Sequence, residues 1–106
     1  NKKLASMDME ERYRLIISTI LNAIGCQVEV EHMLSTGRID IVASTSRFIY
    51  VMELKLTNNG GINAAEKQII NNGYLKPFLA DDRKVIGLAI ELDDKGKGLI
   101  DWKEVQ

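Results

Sequence analysis

Asp40, Glu53 and Lys55 are the residues of this 106-residue chain whose types and spacing could do chemistry. They fall in two apolar runs, Gly37-Arg38-Ile39-Asp40-Ile41-Val42-Ala43 and Phe48-Ile49-Tyr50-Val51-Met52-Glu53-Leu54-Lys55, with a polar break between them. Strands destined for a core rarely carry charge without a reason. Strand side chains alternate between faces, so Glu53 and Lys55 share a face with Ile49 and Val51, while Tyr50, Met52, Leu54 and Leu56 point the other way. Hairpin geometry then brings in Asp40. A four-residue loop over 45–48 sets it directly opposite Glu53, and a two-residue loop at Thr45 and Ser46 sets it on the adjacent diagonal. Either way the carboxylates lie roughly 5–8 Å apart at Cβ. An odd loop would separate them unless a bulge restored the phase. Two like charges held so close repel, and a divalent cation between them removes the cost. Mg²⁺ suits the position, because it accepts one or two carboxylates together with waters and phosphate oxygens. Lys55 can hold or polarise a water beside such a metal.

The elements that must position these residues are legible along the chain. Asn1 to Met7 is a polar lead-in, expected to be partly disordered. Asp8 followed by Glu11 fits an N-cap and capping box. Tyr13, Ile16, Ile17, Ile20, Leu21 and Ile24 recur at helical spacing as one apolar stripe, and Gly25 ends that helix. Gln27 to His32 alternates as a half-buried strand. After the central hairpin, Asn58-Asn59-Gly60-Gly61 reads as a loop, and Asn63 with Glu66 offers a second helix start. That helix ends near Asn72-Gly73, with Pro77 blocking extension. Lys84 to Leu92 has the continuous apolar pattern of a strand buried on both faces. Asp93-Asp94-Lys95-Gly96 is a turn before a last strand over Leu99 to Val105. The order is therefore helix, three strands, helix, two strands, an α/β architecture with a mixed central sheet flanked by helices. A helical crossover joins the Glu53 strand to the Lys84 strand, so the two should run parallel.

Asp40 followed by Glu53-Leu54-Lys55 resembles the PD-(D/E)XK nuclease superfamily, whose minimal signature is Asp, a gap, and Glu-x-Lys. Gly37-Arg38-Ile39-Asp40, Ile49 to Leu56, Ala65 to Gln68-Ile69, Gly73-Tyr74 and Asp82-Arg83-Lys84 fall in the order of one branch. That branch is the nuclease-like domain at the C-terminus of bacterial AAA-ATPase-like proteins. The resemblance runs from about Glu11 to Trp102, and Ile39 stands where the superfamily's name has Pro. It implies a restriction-endonuclease-like core of order αβββαββ. It also implies Asp40 and Glu53 as metal ligands, with the Leu54 carbonyl as a further one, and Lys55 as the residue acting on water and phosphate. Gln68 resembles the helix glutamine aimed at the site in several branches. Glu11 resembles the superfamily's first-helix acid, although it suits the capping box equally well. Arg38 and Tyr74 are candidates to touch substrate. A strand-end arginine and a core tyrosine would look the same.

Composition sets the bounds. A chain of this length is expected to form one domain, residues 1–106, and the start at Asn1 suggests a fragment of something longer. An apolar fraction of 45% and a charged fraction of 27% are those of an ordinary globular protein. A net charge of −1 argues against a broad nucleic-acid surface. The single Cys26 permits no internal disulfide and points to a reducing cytoplasm. No apolar run reaches the length of a membrane span. His32, the only histidine, lacks partners at zinc spacing. Lys95-Gly96-Lys97-Gly98 lacks the order of a phosphate-binding loop, and Trp102 is most simply an anchor for the last strand. The expectation is a hydrolase dependent on Mg²⁺ or Mn²⁺ that acts on DNA, or on RNA, within a longer chain carrying an AAA-ATPase-like domain. A homodimer is left open. The alternative is a catalytically silent module of the same fold that binds nucleic acid or couples to the ATPase.

Overall fold

The computed structural model describes residues 7–106, so the lead-in expected over Asn1–Met7 lies outside the described residues except for Met7. Helix α1, Met9–Ala23, starts where Asp8 accepts a hydrogen bond from the Glu11 backbone N–H at 2.8 Å. It closes at Ile24, and Gly25 takes the left-handed conformation, φ 103°, that glycine supplies without a Cβ penalty. Five strands follow: β1 Gln27–Leu34, β2 Gly37–Ser44, β3 Phe48–Leu56, β4 Lys84–Leu92 and β5 Leu99–Val105. Helix α2, Gly61–Asn71, crosses from β3 to β4. The sheet has the order β1-β2-β3-β4-β5, antiparallel except that β3 and β4 run parallel.

The α2 start differs from the sequence reading. The helix begins at Gly61, before Asn63, and its N-cap Gly60 offers no side chain. Glu91 at the end of β4 substitutes, accepting from the Ile62 N–H at 2.9 Å and from the Thr57 hydroxyl at 2.7 Å. A tertiary carboxylate caps this helix, so no local signal marks its start.

Apolar side chains gather on both faces of the sheet. On the α2 face, Ile39, Ile49, Val51, Ala65, Ile69, Tyr74, Ala89 and Val105 form one core. On the α1 face, Tyr13, Ile41, Ala43, Met52, Leu54 and Leu92 form the other. Ile39 and Ile41 would share a face in a regular strand, yet they belong to different cores. Val28 and Leu34 divide the same way in β1. Both strands change phase at the Glu31–Asp40 rung, where regular pairing is interrupted and Glu31 adopts φ 53°.

Three expectations of burial need correction. Only Tyr13, Ile17 and Leu21 of the α1 stripe meet the core, whereas Ile16, Ile20 and Ile24 are 49%, 55% and 71% exposed. Strand β4 is not buried on both faces, because α1 packs over β1, β2 and β3 and leaves Ile86, Leu88 and Ile90 half-covered. Trp102, beside Ile90 on β5, is 56% exposed and does not anchor its strand. Among the described residues, no helix is long and apolar enough to cross a membrane.

Candidate active site

The position of the site begins with Thr45. Its hydroxyl accepts from the backbone N–H groups of Arg47 and Phe48, and its own N–H donates to the Phe48 carbonyl at 2.9 Å. The loop therefore takes the four-residue form, which fixes Ser44 opposite Ile49 and Ile41 opposite Met52. Continuing that register sets Asp40 against Glu53. The regular ladder ends one rung short of them. From there side-chain oxygens do the accepting: Leu54 N–H donates to Asp40 Oδ2 at 2.9 Å, and Asp40 N–H donates to Glu53 Oε1 at 3.4 Å. The carboxylates thus meet where β2 and β3 part, 8% and 2% exposed.

Helix α1 adds two residues that sequence reasoning missed. Arg14 Nη1 lies 3.1 Å from Asp40 Oδ1, and its Nη2 lies 2.7 Å from Glu31 Oε1. The guanidinium thereby ties Asp40 to the left-handed residue at the phase change. Glu10, one position before the expected Glu11, turns into the same cleft. Glu11 itself is exposed, and its backbone serves the Asp8 cap. The Asp–x–x–Glu spacing that marks a cap places its fourth residue outward, so the preceding residue was the one able to face the sheet.

Helix α2 and its C-terminal turn supply the other wall. Gln68 Nε2 donates to the Tyr74 hydroxyl at 3.1 Å, Asn72 Nδ2 donates to it at 3.3 Å, and the hydroxyl donates to the Arg38 carbonyl at 3.2 Å. Tyr74 is 0% exposed, so it holds Gln68 and the β2 backbone in place and cannot reach a substrate as it stands. Gly37 permits this approach, since a Cβ there would lie 2.6 Å from the Tyr74 hydroxyl. Arg38 is 55% exposed at its side chain and lies at the mouth of the cleft, with Glu31 as a loose partner at 3.8 Å. Leu54 stands between Glu53 and Lys55 with its N–H bound by Asp40 and its side chain in the α1-facing core.

The result is a cleft of about 280 Å³ that brings together Glu10, Arg14, Arg38, Asp40, Glu53, Lys55, Gln68, Asn72 and Tyr74. Its electrostatics follow from burial. Glu53 is pushed up to about 9, first by loss of water and then by the charge and hydrogen bonding of Asp40, with Lys55 opposing. Glu10 is also raised, by burial and then by Asp40. Among the described residues, no three His, Cys, Asp or Glu side chains converge as metal ligands. The donor set is two hard carboxylates with a lysine beside them.

A model of the PD-(D/E)XK nuclease superfamily matches residues 8–102, from the cap of α1 to the middle of β5. The chain belongs to this superfamily. No curated protein matches it. The mixed sheet with flanking helices is the core of the PD-(D/E)XK fold, and nucleases of the superfamily typically use divalent metals. The residues present fit such an ion. Two adjoining carboxylates, one with its proton held to high pH, form a place where added positive charge is stabilising. The small number of protein donors suits an ion that keeps several waters.

Proposed function

We propose that this PD-(D/E)XK chain is a metal-dependent nuclease that hydrolyses phosphodiester bonds of DNA, or of RNA. The observation that supports it best is the buried Asp40–Glu53 pair with Lys55 two residues on, all opening into one cleft. Asp40 and Glu53 would hold Mg²⁺ or Mn²⁺, with the Leu54 carbonyl available as a further oxygen. When bound, the metal supplies Lewis-acid stabilisation of charge on the phosphoryl oxygens and makes a water more acidic. Lys55 orients the attacking water and offers its ammonium to the charge that develops on phosphorus-bound oxygen. Gln68, steadied by Tyr74, offers a polar amide to the same space. Glu10 takes the part expected of Glu11. Arg38, at the mouth, is placed to meet a backbone phosphate.

One observation favours a second reading. Arg14 already neutralises Asp40, and a chain of net charge −1 offers little for a long polyanion. A catalytically silent module that binds nucleic acid, or couples to an AAA-type ATPase domain within a longer cytoplasmic protein, would tolerate both. Cleavage of single- and double-stranded DNA and of RNA, in Mg²⁺, Mn²⁺ and EDTA, separates the two. The nuclease reading expects metal-dependent cleavage that is lost in Asp40→Ala and in Lys55→Ala, with metal binding kept in Lys55→Ala. Metal binding by calorimetry without cleavage of any substrate selects the module.

A further inference from the structure

The two edges of the sheet are built differently. On β1, Glu31 in its left-handed conformation interrupts the strand, and Glu29 and Glu31 put charge along it, which are ordinary devices against edge-to-edge pairing. On β5 the pairing with β4 shifts register once, between Asp101 and Leu99, and beyond that bulge Asp101–Val105 pairs regularly with β4, its outer edge unpaired among the described residues. Leu99, Ile100 and Trp102 are 59%, 54% and 56% exposed. The backbone N–H of Trp102 donates to its neighbour's carboxylate, Asp101 Oδ1, at 2.8 Å.

We propose that β5 is the contact between two copies of this chain, paired antiparallel about a twofold axis at Trp102. The sequence of the strand selects that register. Centring the axis on Asp101, Lys103 or Glu104 sets a charged residue against its own copy, and directly opposed like charges are unfavourable. Centring it on Trp102 sets Asp101 opposite Lys103 of the second copy, twice by symmetry, and Trp102 against Trp102. Alternation keeps these pairs in phase. Lys103 lies on the α2 side, where it pairs with Glu66 at 2.9 Å, and Trp102 lies on the uncovered side beside Ile90. On association the Trp102 N–H exchanges the Asp101 carboxylate for the facing Trp102 carbonyl. Asp101 is then released to the opposing Lys103. The regular stretch Asp101–Val105 and its flanking side chains make a small interface, so the dimer should be a weak one, in the micromolar class. This proposal does not depend on catalysis.

Sedimentation velocity of the 106-residue chain from low to high micromolar concentration is the test. Wild type should move from monomer to dimer. Asp101→Lys alone and Lys103→Glu alone should each stay monomeric, because each now opposes like charges, with circular dichroism confirming the fold. An equimolar mixture of the two variants should dimerise, since the two lysines of the first then face the two acids of the second. Should Lys103→Glu fail to fold beside Glu66, Trp102→Ser, which leaves the Lys103–Glu66 pair intact, replaces it and is expected to stay monomeric. A wild type that remains monomeric throughout, a single charge variant that associates as wild type does, or a mixture that stays monomeric overturns the proposal.

Discussion

Glu53 and Glu91 sit near the same ends of adjacent parallel strands, and the fold treats them in opposite ways. Glu91 has a donor for each oxygen, the Thr57 hydroxyl and then the Ile62 N–H, and these hold its carboxyl below the usual range. Gly61 is kept small to let it in, since a Cβ there would lie 2.5 Å from Glu91 Oε1. Glu53 has one long hydrogen bond from Asp40 N–H, a second carboxylate beside it, and a pKa pushed up to about 9. One carboxylate completes the structure, whereas the other is left short of positive charge. On the proposed function, the difference separates an acid that completes the fold from an acid whose strain a bound cation would relieve.

Replacing each acid should break the two sites in different ways. Glu53→Gln should lower nuclease activity on the order of a thousandfold while raising the melting temperature of the metal-free protein near neutral pH. The sign follows from linkage. Folding raises the Glu53 pKa from 4.5 to about 9, so the folded state binds the proton more tightly. Its contribution is fully present below the unfolded pKa and is lost as pH climbs towards the folded one, by order of 1 kcal/mol for each pH unit. Urea melts of metal-free wild type at several pH values between 5 and 8 should slope downward, and those of Glu53→Gln should slope less. Mg²⁺ should stabilise wild type, by about 2.7 kcal/mol at a hundred times its dissociation constant, and should do little for the variant. A variant that gains as much from Mg²⁺ as wild type removes Glu53 from the metal site.

Smaller effects sharpen the contrast. Glu10→Gln should cost roughly tenfold in turnover, because Glu10 faces the cleft without lying between β2 and β3. Glu91→Gln should keep activity and Mg²⁺ stabilisation but melt a few degrees lower, since the amide cannot accept both bonds as a carboxylate does. Glu11→Gln should leave turnover unchanged within assay error. An activity loss in Glu11→Gln larger than that in Glu10→Gln would reverse their assignment.

The register of Asp40 and Glu53 was legible because loop parity leaves few options, and Thr45 supplies the hydroxyl that selects the four-residue form. Strand spans over Lys84–Leu92 and Leu99–Val105 were equally clear from the apolar pattern and the turn before β5. What stayed hidden depends on packing between distant elements. Helical periodicity shows that α1 has an apolar stripe, but only the docking angle decides that Tyr13 is buried and Ile24 exposed, or that Glu10 faces the cleft in place of Glu11. Arg14 carries no local signature at all. It also decides which acid to neutralise: Asp40→Asn removes one of two repelling charges but deprives a part-buried guanidinium of its partner. Glu53 is the acid to neutralise.

The four-residue hairpin also bears on how the chain reaches its native state. Asp40 and Glu53 are joined through a four-residue hairpin, whereas the β3–β4 pairing must wait for α2 to cross over. Local contacts of this kind tend to form early, before long loops are closed. The repulsion between the carboxylates therefore falls on the climb to the folding barrier and less on the descent from it. Lowering the pH, or adding Mg²⁺, should speed refolding more than it slows unfolding. The limbs of a chevron plot, measured with and without the ion, register this directly. The pair proposed to hold the metal would then also govern the rate at which the protein folds.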